Sequence, residues 1–283
     1  MKYHSIINAD ELAKHLGDPS WRIVDCRYNL NAIDEGLAQY NIEHIPYAVY
    51  AHLKYDLSSP VTEKTGRHPL PDIKKLKQTF GDWGIDDTIQ VVVYDNAAGS
   101  YAARLWWLLR WLGHDNVAVL NGGFDIWKQQ GLPVTSEIPQ IPETTFIGQP
   151  DMTMVADTQA VEQLLEQSDT NLIDVRDPKR FQGQTEPIDR IAGHIPGAIN
   201  VPWKSNTDEN GLYLAKAQLH DFYKTILHGI PPDKTVFMCG SGVTACHTLV
   251  ALEYIGIKGA RLYPGSWSEW IADPKHPVQA QSK

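Results

Sequence analysis

Cysteine is scarce in this chain: Cys26, Cys239 and Cys246 are the only three among 283 residues. Three cannot make a disulfide framework in a chain of this length, and a reducing, cytoplasmic setting is the expectation. Paired Cys-x-x-Cys runs and a His-Glu-x-x-His run are also missing, so no metal site and no organic cofactor are expected. No apolar run reaches the roughly eighteen residues that a membrane span needs. The start, Met1 to Ile7, lacks the continuous apolar core of a secretory signal. Positive charge is in deficit as well, with 25 Lys and Arg against 34 Asp and Glu, a net charge of −9. Binding to nucleic acid or to an anionic membrane draws on clustered cations, so neither partner is expected. The densest basic run, Lys74-Lys75-Leu76-Lys77, reads as a solvated helix face with Phe80 turned to the core.

What the chain does have is apolar material, 42% of residues, and an internal repeat. Trp21-Arg22-Ile23-Val24-Asp25-Cys26-Arg27 resembles Asn171-Leu172-Ile173-Asp174-Val175-Arg176. With Asp25 set on Asp174, His44-Ile45-Pro46 falls close to His194-Ile195-Pro196. Gly113 to Trp127 and Gly256 to Trp270 then share a spacing of fourteen residues. Fixed-order self-similarity of this kind marks a duplicated unit. The halves meet in a Pro-containing stretch without periodicity, a linker by composition. We read residues 1–136 as one domain, 137–152 as the linker and 153–283 as a second domain.

Each half alternates short β-branched runs with helical apolar faces. Ile89–Tyr94, Val117–Leu120, Thr235–Met238 and Ala260–Tyr263 read as strands, and Ser100–Leu112 and Thr244–Ile255 as helices. Strand–helix–strand at this spacing requires right-handed crossovers and a parallel sheet covered on both faces. The fold class is therefore α/β, with two tandem domains. Such sheets bind ligands at the carboxyl ends of their strands, and Cys239 directly follows one.

The cysteine begins the run Cys239-Gly240-Ser241-Gly242-Val243-Thr244-Ala245. Gly240 and Gly242 allow backbone conformations that bring several amides to one point, ahead of a helix N-terminus. Amides so arranged stabilise a thiolate and lower its pKa. They stabilise a persulfide anion for the same reason. Cys246, inside the following helix, and Cys26, inside a strand, read as buried packing residues. In the first half, Asp95 stands where the second has Cys239, and a carboxylate cannot accept sulfur. The first domain is therefore expected to be catalytically silent.

With both Asp-x-Arg strands, both His-Ile-Pro runs, Leu120-Asn121-Gly122-Gly123-Phe124 and the cysteine loop in view, the whole chain resembles the tandem-domain rhodanese family of sulfurtransferases. The loop Cys-Gly-Ser-Gly-Val-Thr-Ala is most similar to the branch of that family that takes sulfur from 3-mercaptopyruvate. The thiosulfate branch typically has Arg-Lys at the positions of Gly240-Ser241. Phosphatases of the same architecture place an arginine six residues after the cysteine; here that residue is Ala245. The resemblance implies a Cys239 persulfide, release of pyruvate and delivery of sulfur to a thiol or thioredoxin-like acceptor. Thiosulfate:cyanide transfer through the same cysteine is the alternative, and a monomer is expected. Arg180, in Arg180-Phe181-Gln182-Gly183, resembles the family's substrate-binding arginine, and Arg190 its second one. Gly240, Gly242, Val243 and Thr244 complete the substrate-binding loop. The branch's serine–histidine–aspartate relay maps onto Ser241, His44 and Asp34, with Glu35 as a rival acid. Arg27 and Arg176, beside strand-end aspartates, are expected to form structural ion pairs.

Overall fold

The computed structural model describes residues 2–280. The chain divides into two compact units, and neither is one continuous stretch. The first comprises Met1–Ser59, Leu70–Asp151 and Thr207–Tyr213; the second comprises Pro60–Pro69, Met152–Asn206 and Leu214–Lys283. The two halves have therefore exchanged short segments, an arrangement that the repeat does not predict.

The first unit is built on strands β1 (Ile6–Ile7), β2 (Trp21–Asp25), β3 (Ala48–Tyr50), β4 (Gln90–Tyr94) and β5 (Val117–Leu120). Their order is β1-β5-β4-β2-β3, and every pairing is parallel. β4 is buried along its whole length, as expected of a central strand in a sheet covered on both faces. The helices are α1 (Ala9–Leu12), α2 (Glu35–Ile42), α3 (Ile73–Asp82), α4 (Ala102–Trp111) and α5 (Gly123–Gln129). On α3, Leu76 and Phe80 are buried while Lys74 and Lys75 face solvent. That is the division expected of the basic run. The Asp72 carboxylate caps this helix by accepting the Lys75 N–H at 2.9 Å.

The second unit repeats the plan with β6 (Asn171–Asp174), β7 (Ile199–Asn200), β8 (Thr235–Met238) and β9 (Arg261–Leu262), in the parallel order β7-β6-β8-β9. Its helices are α6 (Thr158–Leu165), α7 (Pro178–Phe181), α8 (Lys216–Leu227), α9 (Thr244–Tyr254) and α10 (Ser266–Trp270). Tyr263, Trp267 and Trp270 pack with Val236, Met238 and Leu172 in its core. The register sets Asp25 beside Tyr94 and Asp174 beside Met238. In both units this puts an Asp-x-Arg corner next to the strand that leads into the loop of interest. Both corners are closed by a buried ion pair, Arg27–Asp25 and Arg176–Asp174, each at 2.6 Å. Among the described residues no helix is long and apolar enough to cross a membrane.

Candidate functional site

β8 delivers Cys239 to the end of the sheet, and the loop after it is held from outside. The Cys239 N–H donates to Ser266 Oγ at 3.1 Å, and that hydroxyl donates to the Tyr263 carbonyl at 2.8 Å. The Trp267 and Ser268 amides donate to the carbonyls of Cys239 and Gly240 at 3.1 and 2.9 Å. Gly242 has φ +70°, and a Cβ there would lie 2.3 Å from the Pro264 carbonyl oxygen. Only glycine fits that turn. Val243 is buried and leads into α9.

Cys239 itself is 2% exposed. Burial is the largest influence on its thiol and pushes the pKa up. The Thr244 hydroxyl, the Ser241 N–H and the Ala245 N–H donate to the sulfur, and together they bring it below the ordinary cysteine value. The expected amide nest is thus present, with a hydroxyl added. Cys246 is fully buried and contacts the Gly242 carbonyl at 3.4 Å. Cys26 is buried without such donors, and its thiol is pushed well above the usual range by desolvation and then by Asp25.

Two guanidinium groups face the loop. A Cβ on Gly240 would lie 2.7 Å from Arg67 Nη2 and 3.4 Å from Arg180 Nη2, so a larger residue after the cysteine would displace these guanidinium groups. Arg180, from α7, pairs with Glu186 at 2.8 Å and Asp189 at 3.0 Å, and Arg67 pairs with Asp189 as well. Glu186 also stands 3.5 Å from Arg176. The Glu186 and Asp189 side chains are each 4% exposed, so these acids offset much of the positive charge beside the sulfur. Arg67 still feels its burial, which lowers its pKa, and the Cys239 charge acts in the opposite direction.

Ser241, expected in the relay, has a histidine partner within its own unit. Ser241 is buried in the loop, and its Oγ lies 2.8 Å from Nδ1 of His68, also buried. His44 belongs to the first unit: its nitrogens lie 2.6 Å from the Tyr40 carbonyl and 3.1 Å from the Glu137 carbonyl, and its ring stacks on Tyr40 at 4.0 Å. His194 does the same in the second unit, 2.7 Å from the Phe181 carbonyl and stacked on Phe181 at 3.7 Å. The His-Ile-Pro histidine is a bracing residue in both copies. Asp34 precedes α2 with its side chain 78% exposed, 4.0 Å from His52, and Glu35 bonds to Asn29 and Gln39. Neither acid accompanies His68 or Ser241 in these contacts. Arg190 is exposed, and its guanidinium donates to the Ile271 carbonyl rather than standing over the loop.

Sequence reasoning passed over Arg67 and His68 because they lie in the first half of the chain yet belong to the second unit. A signal was present. The shared pair His44 and His194 make the same kind of contact, whereas His68 stands outside the repeated His-Ile-Pro runs.

Comparison with known proteins agrees with this geometry. The rhodanese-like domain family matches residues 8–130 and 157–273. A probable 3-mercaptopyruvate sulfurtransferase of Pseudomonas aeruginosa is 44% identical over 98% of this chain and 99% of its own. A putative thiosulfate sulfurtransferase of Mycobacterium tuberculosis is 40% identical over 96% of each chain. The crystal structure of the 3-mercaptopyruvate sulfurtransferase of Escherichia coli superposes with a TM-score of 0.81 at 31% identity, covering 94% of this chain and all of the other. With the family's domain matched twice along one chain, and a buried, amide-cradled cysteine in the second copy, the protein belongs to the tandem-domain rhodanese family.

Proposed function

We propose that the protein is a sulfurtransferase that takes sulfur from 3-mercaptopyruvate, carries it as a Cys239 persulfide and passes it to a thiol or thioredoxin-like acceptor. The observation that carries this reading is the environment of Cys239, a buried sulfur receiving three hydrogen bonds that favour its thiolate. The thiolate attacks the donor sulfur, the donor carbon–sulfur bond breaks, and its electron pair leaves as the enolate of pyruvate. The enolate takes up one proton, and the persulfide anion remains in the nest that held the thiolate. Ser241, backed by His68 at 2.8 Å, is the proton relay beside the departing enolate. Arg180 and Arg67 bind the carboxylate of the keto acid through the donors their acids leave over. Arg190 has the lesser part of supporting the segment that carries Asp189. The first unit is catalytically silent.

The partial neutralisation by Glu186 and Asp189 favours a monoanionic keto acid over dianionic thiosulfate. The name of the Mycobacterium relative favours thiosulfate instead. Steady-state rates with both donors, for the wild type and for Cys239→Ser, test the proposal. A higher kcat/KM for 3-mercaptopyruvate and loss of both activities in Cys239→Ser are expected. A clear preference for thiosulfate overturns the donor assignment, and a fully active Cys239→Ser overturns the mechanism.

A further inference from the structure

Strand β2 carries a second arginine that the repeat does not match: with Asp25 on Asp174, Arg22 falls opposite Asn171. Arg22 is 9% exposed, and among the described residues its only hydrogen bond is a long one, 3.5 Å from Nη2 to the Gly84 carbonyl. Its Nε is buried with no partner. The contrast with Arg27, five residues on, is direct. Arg27 is also buried, but its guanidinium makes bonds of 2.6 to 3.1 Å to Asp25 and one of 2.7 Å to the Glu43 carbonyl. A guanidinium presents five donors and does not lose its charge in a protein, so one held out of water without an anion is destabilising. Burial alone pushes Arg22 below its ordinary pKa, with no carboxylate opposing it.

Arg22 lines a cavity of about 410 Å³ that lies wholly within the first unit. Its other walls are mostly apolar, among them Trp21, Tyr47, Ile89 and Ile141. The His15 ring stacks on Trp21 at 3.9 Å and 10°, presenting a flat surface. Asp18, also on the wall, is committed elsewhere: it accepts from the Ser20 N–H and hydroxyl at 2.9 and 2.7 Å and stands 3.8 Å from His15. The cavity thus combines an unneutralised buried cation with apolar, partly aromatic walls.

We infer that this cavity is a binding site for a small carboxylate with a planar apolar body, distinct from the donor site at Cys239. The carboxylate pairs with Arg22, and the body lies against Trp21 and Ile141. Because Pro139–Thr144 forms one wall, an occupant also fixes that stretch against β2.

Fluorine NMR titration of 4-(trifluoromethyl)phenylacetate into the full chain tests this, with the matching uncharged amide and inorganic phosphate as companions. The acid is expected to bind saturably, and the amide at least about tenfold more weakly, as loss of a charge-assisted pair implies. Arg22→Gln should weaken the acid by about the same factor and barely affect the amide, whereas Ile141→Trp, which fills the cavity, should weaken both. Arg180→Ala should leave the titration unchanged. If Arg22→Gln does not fold, the acid–amide pair and Ile141→Trp decide the matter on folded protein. No saturation by about 10 mM, equal binding of acid and amide, displacement by phosphate as effective as by the acid itself, or loss of binding in Arg180→Ala would each overturn the inference.

Discussion

The Asp95 loop and the Cys239 loop are the same device with different occupants. Each follows a buried central strand, and each has its first carbonyl held by the helix that comes later in its unit, Phe124 N–H to Asp95 at 2.8 Å and Trp267 N–H to Cys239 at 3.1 Å. In the first loop the carboxylate fills the nest by itself. Asp95 Oδ1 accepts the Ala97 and Gly99 amides at 2.8 Å each, and Oδ2 accepts Tyr101 and Ala102 at 2.8 and 2.9 Å. In the second loop the amides of Ser241 and Ala245 point at a sulfur instead. A nest filled by its own carboxylate is a structural plug, with burial raising the Asp95 pKa against the four amides that lower it. One that favours a thiolate holds, in the proposed mechanism, charge that can attack, extend by one sulfur atom and be recovered.

Four sets of substitutions, six variants in all, test that comparison, in descending order of expected effect. Asp95→Ala removes the acceptor from four amides, two of them buried, and should destabilise the protein by about 4 kcal/mol, read as the shift of the first urea transition. Unchanged stability would mean that the plug contributes nothing. Arg180→Ala should raise KM for 3-mercaptopyruvate about thirtyfold with a smaller change in kcat, and Arg190→Ala should change either by less than about threefold. Similar effects from the two would restore Arg190 to the clamp.

Thr244→Val removes one of the three donors to the sulfur and should raise the Cys239 pKa. Only the thiolate reacts, so alkylation by iodoacetamide speeds up as pH rises through that pKa, and the variant's profile should move to higher pH. Near pH 7 its rate should fall about tenfold. A superimposable profile would remove the hydroxyl from the account. Smallest in activity is His44→Gln, expected to keep kcat/KM within about twofold while costing about 1 kcal/mol of stability. His68→Gln, by contrast, should lower kcat by more than about tenfold. If the two histidines exchange those outcomes, the original relay stands.

Much of this was legible from residues alone, and the failures share a cause. The strands Val117–Leu120 and Thr235–Met238 fall where β-branched and apolar runs put them, because burial on both faces demands such runs. The two-residue strands β1 and β7 carry too little pattern to be seen. Cys239, Gly242 and Thr244 were readable because the loop is local and its chemistry is written in adjacent residues. Arg67 and His68 were not, since their place at the site depends on a segment leaving its own half, and no local propensity encodes that. His44 was read through the family's motif, and its contacts to the Tyr40 and Glu137 carbonyls are of the kind that His194 makes in the other copy.

The exchange of segments also bears on how the protein can be made. Synthesis from the N-terminus produces Arg67 and His68 more than 100 residues ahead of the strand that ends in Cys239, and Thr207–Tyr213, which completes the first unit, well after most of that unit. The first unit is complete on the ribosome only once the chain has passed residue 213, and the second not before Leu214–Lys283 has been made, so the first waits until much of the second has been synthesised. Dividing the gene in the linker would give a C-terminal product that keeps the sulfur carrier and lacks the histidine and arginine beside it.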